Sequence, residues 1–184
     1  MHILFIISLA VLFPAIHLLS DWLFDFANIN QNISLIYLPA FLRLFNLLVL
    51  GPIFGTLATL LGGFLLMLKQ SDLLEVALIN IVCSSLGPLV ALTAFNAYFK
   101  RSIQLTSLKD LGILTLMYCL MNSAIHHLVW LLTGNTPQFD TYQAVWMFIG
   151  DLNGALLGAY LMKALLDFLE KKGMHFSNFL RPRN

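Results

Sequence analysis

Long apolar runs alternate with short polar breaks along the chain, and each run is close to the length that a membrane-spanning helix needs. A helix that crosses a bilayer takes about 20 mostly apolar residues. A transmembrane β-barrel would instead show short segments of alternating polarity. The pattern therefore predicts an all-α, polytopic membrane protein with about six transmembrane helices in one bundle. The predicted helices cover residues 3–20, 35–50, 53–68, 73–99, 110–133 and 142–169.

The breaks between these runs carry polar or helix-disrupting residues. Gly51-Pro52 separates the second helix from the third, because proline lacks a backbone N–H and disfavours helix at the residue before it. The N-terminal run has no basic residue before it and no small-residue cleavage site after it, so we expect a retained first helix. We predict one transmembrane domain over residues 1–173 and a short cytoplasmic tail over 174–184.

The composition points to lipid as the solvent of most of this surface. Hydrophobic residues make up 59% of the chain and charged residues 10%, whereas about 25% of a typical soluble domain is charged. A single core of this length would leave much apolar surface in water. The net charge of +1 and the lack of a basic stripe exclude a nucleic-acid partner.

The basic residues predict the orientation. Cytoplasmic loops carry an excess of Lys and Arg, and tryptophan is enriched at membrane interfaces. With six helices, the loop after helix four and the tail lie on one side, and the tryptophans fall near the opposite ends of their helices. We therefore predict N-in and C-in topology. The residues concerned are Lys100, Arg101, Lys109, Lys171, Lys172, Arg181 and Arg183, and Trp22, Trp130 and Trp146.

Polar side chains from four predicted helices fall in one layer, about 10–13 Å from the outer helix ends at 1.5 Å of rise per residue. Such groups are expensive in lipid and usually face a bundle interior or a cavity. We expect a polar pocket open to the outer side, in which Arg43 binds a small polar or anionic ligand and Asp151 is its counter-charge or a proton site. The candidate ligand-binding residues are Arg43, Asp151, His126, His127 and Asn80, with Asn153 about one turn deeper.

One alternative remains for these residues. Arg43 and Asp151 could instead form a structural ion pair that holds two helices together, since buried charges persist when they are paired. His126 and His127 point about 100° apart on a helix, which argues against a two-histidine metal site. The chain has two cysteines without a CxxC motif, and it lacks the HExxH and GxSxG motifs. We therefore expect no metal, no cofactor and no enzymatic activity.

A stripe of small residues follows one face of the sixth helix. Gly150, Gly154 and Gly158 recur every four residues and allow another helix to approach closely. The stripe predicts either packing within the chain or docking of a membrane partner.

Several short motifs of a second kind stand out: Leu38-Pro39-Ala40, Leu50-Gly51-Pro52, Gly55, Leu61-Gly62-Gly63, Asn80 and Phe148 to Gly154. They resemble motifs of the membrane-associated sensor domains that precede bacterial histidine kinases and diguanylate cyclases. That resemblance implies a sensing module in a bacterial inner membrane that acts through a separate protein, in the membrane or the cytoplasm.

A second resemblance leads to another class of protein. The stretch from Leu48 to Gly55 is similar to one in the substrate-binding components of energy-coupling-factor vitamin transporters, which have six helices. That resemblance implies uptake of a vitamin-like molecule from an outward-facing pocket. A third possibility is a structural subunit of a membrane complex, with the glycine stripe in the contact.

Overall fold

A computed structural model describes residues 2–30, 33–68, 74–134 and 141–171 of the chain. The predicted tail, 174–184, lies outside these ranges. The described chain is helical apart from one short two-stranded antiparallel ribbon. The elements are α1 (His2–Leu23), a 3-10 turn (Asp25–Ala27), β1 (Asn28–Asn30), β2 (Ile33–Ser34), α2 (Pro39–Met67), α3 (Leu74–Phe99), α4 (Leu108–Thr133) and α5 (Thr141–Lys171).

The five helices are each long and apolar enough to cross a membrane. Large apolar side chains are exposed on every one of them, which a water-soluble protein of this size would not tolerate as a continuous surface. The fold is therefore that of a multi-pass helical membrane protein, as the apolar runs predict. Examples of these exposed side chains are Ile3, Ile53, Leu74, Leu132 and Leu165.

The described part of the chain has five long helices where the sequence predicts six, because the second and third predicted helices form one element, α2. Within α2, Gly51 leaves the helical conformation with φ 79° and ψ 174°, values that favour glycine. The Asn46 side-chain amide nevertheless donates to Thr59 Oγ1 at 3.3 Å, although a continuous helix would place these residues about 20 Å apart. The chain therefore reverses at Gly51, and its halves, α2a (39–50) and α2b (52–67), lie side by side.

Contacts between the helices show that successive segments alternate in direction. Asn80 and Ser84 of α3 contact Trp130 and His126 of α4, respectively, so these two helices are antiparallel. The α4–α5 pair is likewise antiparallel, since Asn122 contacts Asp151 while Ser123 contacts Ala144. Because the chain also reverses within α2, α1 ends at the same end of the bundle at which α3 begins.

The segment 33–38, which the sequence assigned partly to a helix from residue 35, is not helical. It lies against α5 because Gly150 and Gly154 have no side chain. A Cβ atom at Gly150 would overlap the Ser34 carbonyl oxygen, and one at Gly154 would overlap that of Tyr37. The helix begins at Pro39, whose missing N–H is tolerated in the first turn.

Hydrogen bonds to neighbouring elements satisfy the backbone of this segment. The Tyr37 N–H donates to the Gly150 carbonyl at 3.1 Å, and the Leu38 N–H donates to Ser20 Oγ at 3.2 Å. The Asn153 side-chain amide donates to the Leu35 carbonyl at 2.9 Å. Irregular backbone persists at membrane depth only where such groups are paired inside the protein.

The glycine stripe is thus used within the chain. Gly150 and Gly154 receive the segment 33–38, and a Cβ atom at Gly158 would collide with the Phe41 side chain of α2a. Of the two uses that the stripe predicts, the structure shows internal packing.

This packing predicts that alanine substitutions at two different glycines change the melting temperature very differently. Gly154→Ala should lower the melting temperature strongly, because the added methyl group must displace backbone, and overpacking typically costs about 1–3 kcal/mol. Gly112→Ala in α4 is the matched control, since a Cβ atom there meets no atom within 4 Å, and alanine is favoured over glycine by about 1 kcal/mol in a helix. Thermal unfolding in detergent measures both, and equal melting temperatures would contradict the packing described above.

Candidate functional site

A cavity of about 510 Å³ lies between all five helices and the ribbon. This volume is within the usual range of small-molecule sites, roughly 300–1,000 Å³. Exposed residues Asp25, Asn28 and Asn30 line it at the end of the bundle where α1 ends. Buried polar residues line its deep part, so the cavity leads from the bundle surface into the interior. These deep residues are Arg43, Thr59, Ser84, Asn122, His126 and Asp151.

Arg43 projects from α2a and is only 6% exposed. Its Nη2 donates to the Tyr37 hydroxyl at 3.2 Å. The guanidinium carbon also lies over two aromatic rings, 5.0 Å from the centre of Tyr37 and 5.6 Å from that of Phe13. Among the described residues its Nε has no hydrogen-bond partner. Since a guanidinium has five N–H donors, Arg43 keeps unused donors beside the cavity.

Asp151 projects from α5 and is 2% exposed. Its Oδ2 accepts a hydrogen bond of 2.6 Å from the side-chain amide of Asn122 on α4. Asn122 is the only donor that the described residues offer to this carboxyl group. A carboxylate can accept several hydrogen bonds, so Asp151 also retains binding capacity.

Arg43 and Asp151 line the same cavity without touching. They interact electrostatically, yet the ion pairs within 4.0 Å among the described residues do not include them. The direct ion pair that the sequence allowed as an alternative is therefore not formed. The two opposite charges are held on different helices with a gap between them.

Two hydrogen bonds fix the ring of His126. Its Nδ1 lies 2.8 Å from the Asn122 backbone carbonyl, and its Nε2 lies 3.3 Å from Ser84 Oγ. A carbonyl oxygen can only accept, so Nδ1 carries the proton and Nε2 accepts from the hydroxyl of Ser84. A turn away, Trp130 Nε1 donates to Asn80 Oδ1 at 2.8 Å. We interpret both contacts as hydrogen bonds that hold α3 against α4 along one wall of the cavity.

The structure brings together four of the six predicted binding residues: Arg43, Asp151, His126 and Asn80 line the cavity. His127 is buried outside it, with Nδ1 2.9 Å from the Ser123 carbonyl. Asn153 is exposed and holds the segment 33–38 instead. Within the described residues, no three His, Cys, Asp or Glu side chains are placed to hold a metal ion.

Several residues of the cavity wall were not predicted from the sequence. Tyr37 was predicted inside a helix, and Asn122 was not among the predicted binding residues. His17 and Asp21 form an i,i+4 pair on α1, with 3.4 Å between Nε2 and Oδ2. The His17 ring meets the Tyr37 ring edge to face, 5.7 Å between centres. The i,i+4 spacing was the one sequence signal that could have found this wall.

No family model matches the chain, and neither a curated protein nor a solved structure matches it. The fold and the cavity define a class only: a multi-pass helical membrane protein with a polar cavity inside its bundle.

The contact between Asn122 and Asp151 gives a prediction for stability. Asn122→Ala should lower the free energy of unfolding by about 1.5–3 kcal/mol, because hydrogen bonds to charged groups are worth that much. In an Asp151→Ala background the same change should cost much less. Asn96→Ala is the control, since Asn96 Oδ1 is buried without a partner in the described chain. Unfolding in detergent completes the double-mutant cycle, and additive losses would show that the two side chains are not coupled.

Proposed function

We propose that this protein is a membrane-embedded binding module that recognises a small polar ligand from the outer side and acts as a sensor through a partner protein. The observation that carries the proposal is Arg43, which is buried beside the cavity with an unpartnered Nε. In this proposal the protein binds a ligand and catalyses no reaction.

A purely structural role would leave the state of Arg43 unexplained. Burying a charge costs several kcal/mol unless an opposite charge and further hydrogen bonds compensate it. Arg43 donates to the Tyr37 hydroxyl, interacts with the Tyr118 hydroxyl and lies over two aromatic rings. Asp151 forms no ion pair with it. Ionisable groups kept at such cost inside a membrane usually mark a ligand or ion site.

The cavity faces the outer side in this proposal. Lys100 and Arg101 follow α3 at the end of the bundle opposite to the mouth, and basic residues mark the cytoplasmic side. Arg101 is fixed there by two hydrogen bonds to Asp110, of 2.5 and 2.8 Å. At the mouth end, Trp22 and Trp146 are exposed, whereas Trp130 is buried rather than interfacial.

The proposed topology has six crossings, with both termini of the bundle in the cytoplasm. Because α2 reverses at Gly51, its halves run in opposite directions. The half α2a has 12 residues and would be only about 18 Å long, so the segment 33–38 completes its path across the bilayer. This irregular entry into a short helix is typical of sites in secondary transporters.

A second candidate function is transport, which the resemblance of the stretch from Leu48 to Gly55 to the vitamin-transporter components favours. The reversal at Gly51 falls within that stretch. The transport proposal differs from sensing in one respect only: the bound ligand would move across the membrane. Uptake by cells that express this chain with and without a coupling ATPase would separate the two.

The orientation is open to a direct test with cysteine substitutions. Asn28→Cys, at the mouth, should react in intact cells with a thiol reagent that cannot cross membranes, and Ser102→Cys should react only after lysis. Both positions are exposed, and the native Cys83 and Cys119 are buried, so the background should be low. The reverse pattern would place the mouth in the cytoplasm.

The binding proposal predicts a small molecule that purifies with the protein. Native mass spectrometry of protein extracted gently from its membrane should show this mass on the wild type and lose it in Arg43→Gln. Lys163→Gln should retain it, because Lys163 is exposed on α5 and pairs with Asp167 outside the cavity.

Two outcomes would contradict binding. One is an identical set of masses on the wild type and a folded Arg43→Gln protein. The other is a stoichiometric protein partner without any small molecule, which would favour a structural subunit. If Arg43→Gln does not fold, Asp151→Asn, which keeps the shape of the side chain, replaces it in the comparison.

A further inference from the structure

The deep part of the cavity contains one positive and one negative group that are kept apart. Arg43 belongs to α2a and Asp151 to α5, and no nitrogen–oxygen distance between them is within 4.0 Å. Both side chains are more than nine-tenths buried. Each has a neighbour that fixes its position, Tyr37 for Arg43 and Asn122 for Asp151. The gap is therefore built into the fold.

We infer that the ligand is a small zwitterion, with an acidic group bound by Arg43 and a protonated amino group bound by Asp151. The inference rests on the proposed function and names the class of molecule that the same cavity would take.

The donors and acceptors of the two residues suit such a ligand. A guanidinium binds a carboxylate through two parallel hydrogen bonds. Arg43 lines the cavity and uses one N–H of Nη2 for Tyr37, so its guanidinium, with five N–H donors, keeps others for a ligand. An ammonium group has three donors and no acceptor, and it would fill the acceptor positions of Asp151 that Asn122 leaves open.

The charges around the cavity disfavour the simpler alternatives. A simple anion bound to Arg43 would lie near Asp151 and would pass Asp21 and Asp25 at the mouth. A simple cation bound to Asp151 would lie near Arg43, and like charges repel strongly where the dielectric is low. A ligand without charge would leave neither buried charge with a direct partner of opposite sign. A zwitterion compensates both at once.

The remaining walls suit a short carbon chain between the two charged groups. Apolar side chains from all five helices line the cavity together with the polar ones, and pockets of this mixed kind fix ligands by a few polar groups in apolar surroundings. These side chains are Phe13, Leu66, Ile81, Trp130 and Met147.

A matched set of probes tests the inference. Purified protein in lipid nanodiscs is heated with γ-aminobutyrate, butyrate or butylamine at equal concentration, and the set is repeated with shorter and longer chains. For at least one chain length, the rise in melting temperature with the amino acid should exceed the sum of the rises with the carboxylate and the amine of the same length. Asp151→Asn should remove this advantage, and Lys163→Gln should retain it.

Each outcome has one meaning. The inference is overturned if no amino acid in the set stabilises the protein more than its matched carboxylate, or if the advantage survives in Asp151→Asn. Stabilisation by carboxylates alone that disappears in Arg43→Gln would leave the proposed binding function standing. No stabilisation by any probe, together with no co-purifying molecule, would remove the binding function as well.

Discussion

The architecture depends on the contact between the segment 33–38 and the glycines of α5. Irregular backbone in a bilayer must find hydrogen-bond partners inside the protein. The Gly150 carbonyl, the Ser20 hydroxyl and the Asn153 side chain supply them. Gly150 and Gly154 make the approach possible, because a Cβ atom at either position would overlap a backbone oxygen. A stripe that resembles a docking face is thus occupied by the chain itself.

The same contact sets the position of both charges. It places Tyr37 beside α5 and starts α2a at Pro39, so that Arg43 comes one turn later and faces the cavity. Asp151 follows Gly150 directly and is positioned by Asn122. The two opposite charges could form an ion pair, but they are held apart on α2a and α5. We propose that this separation, costly in a membrane, exists to receive a ligand.

Much of this arrangement could be predicted from the sequence. The apolar runs identify the membrane helices, and Gly51-Pro52 marks the point where α2 reverses. Counting helical rise from the outer ends found the layer that contains Arg43 and Asp151. Asn153 was predicted at the site although it is two residues from Asp151, a rotation of about 200° on a helix, which places it on another face.

Other features could not be found in this way. Residues 35–38 belong to an apolar run, and the tertiary contact with α5 holds them outside the helix. The partners of Asp151 and of His126 Nε2 lie on other helices, 29 and 42 residues away, so spacing carries no signal for them. An electron cryo-microscopy structure in lipid nanodiscs tests the central claim most directly. Our account predicts Arg43 and Asp151 apart, with ordered non-protein density between them; a direct ion pair that closes the gap would contradict it.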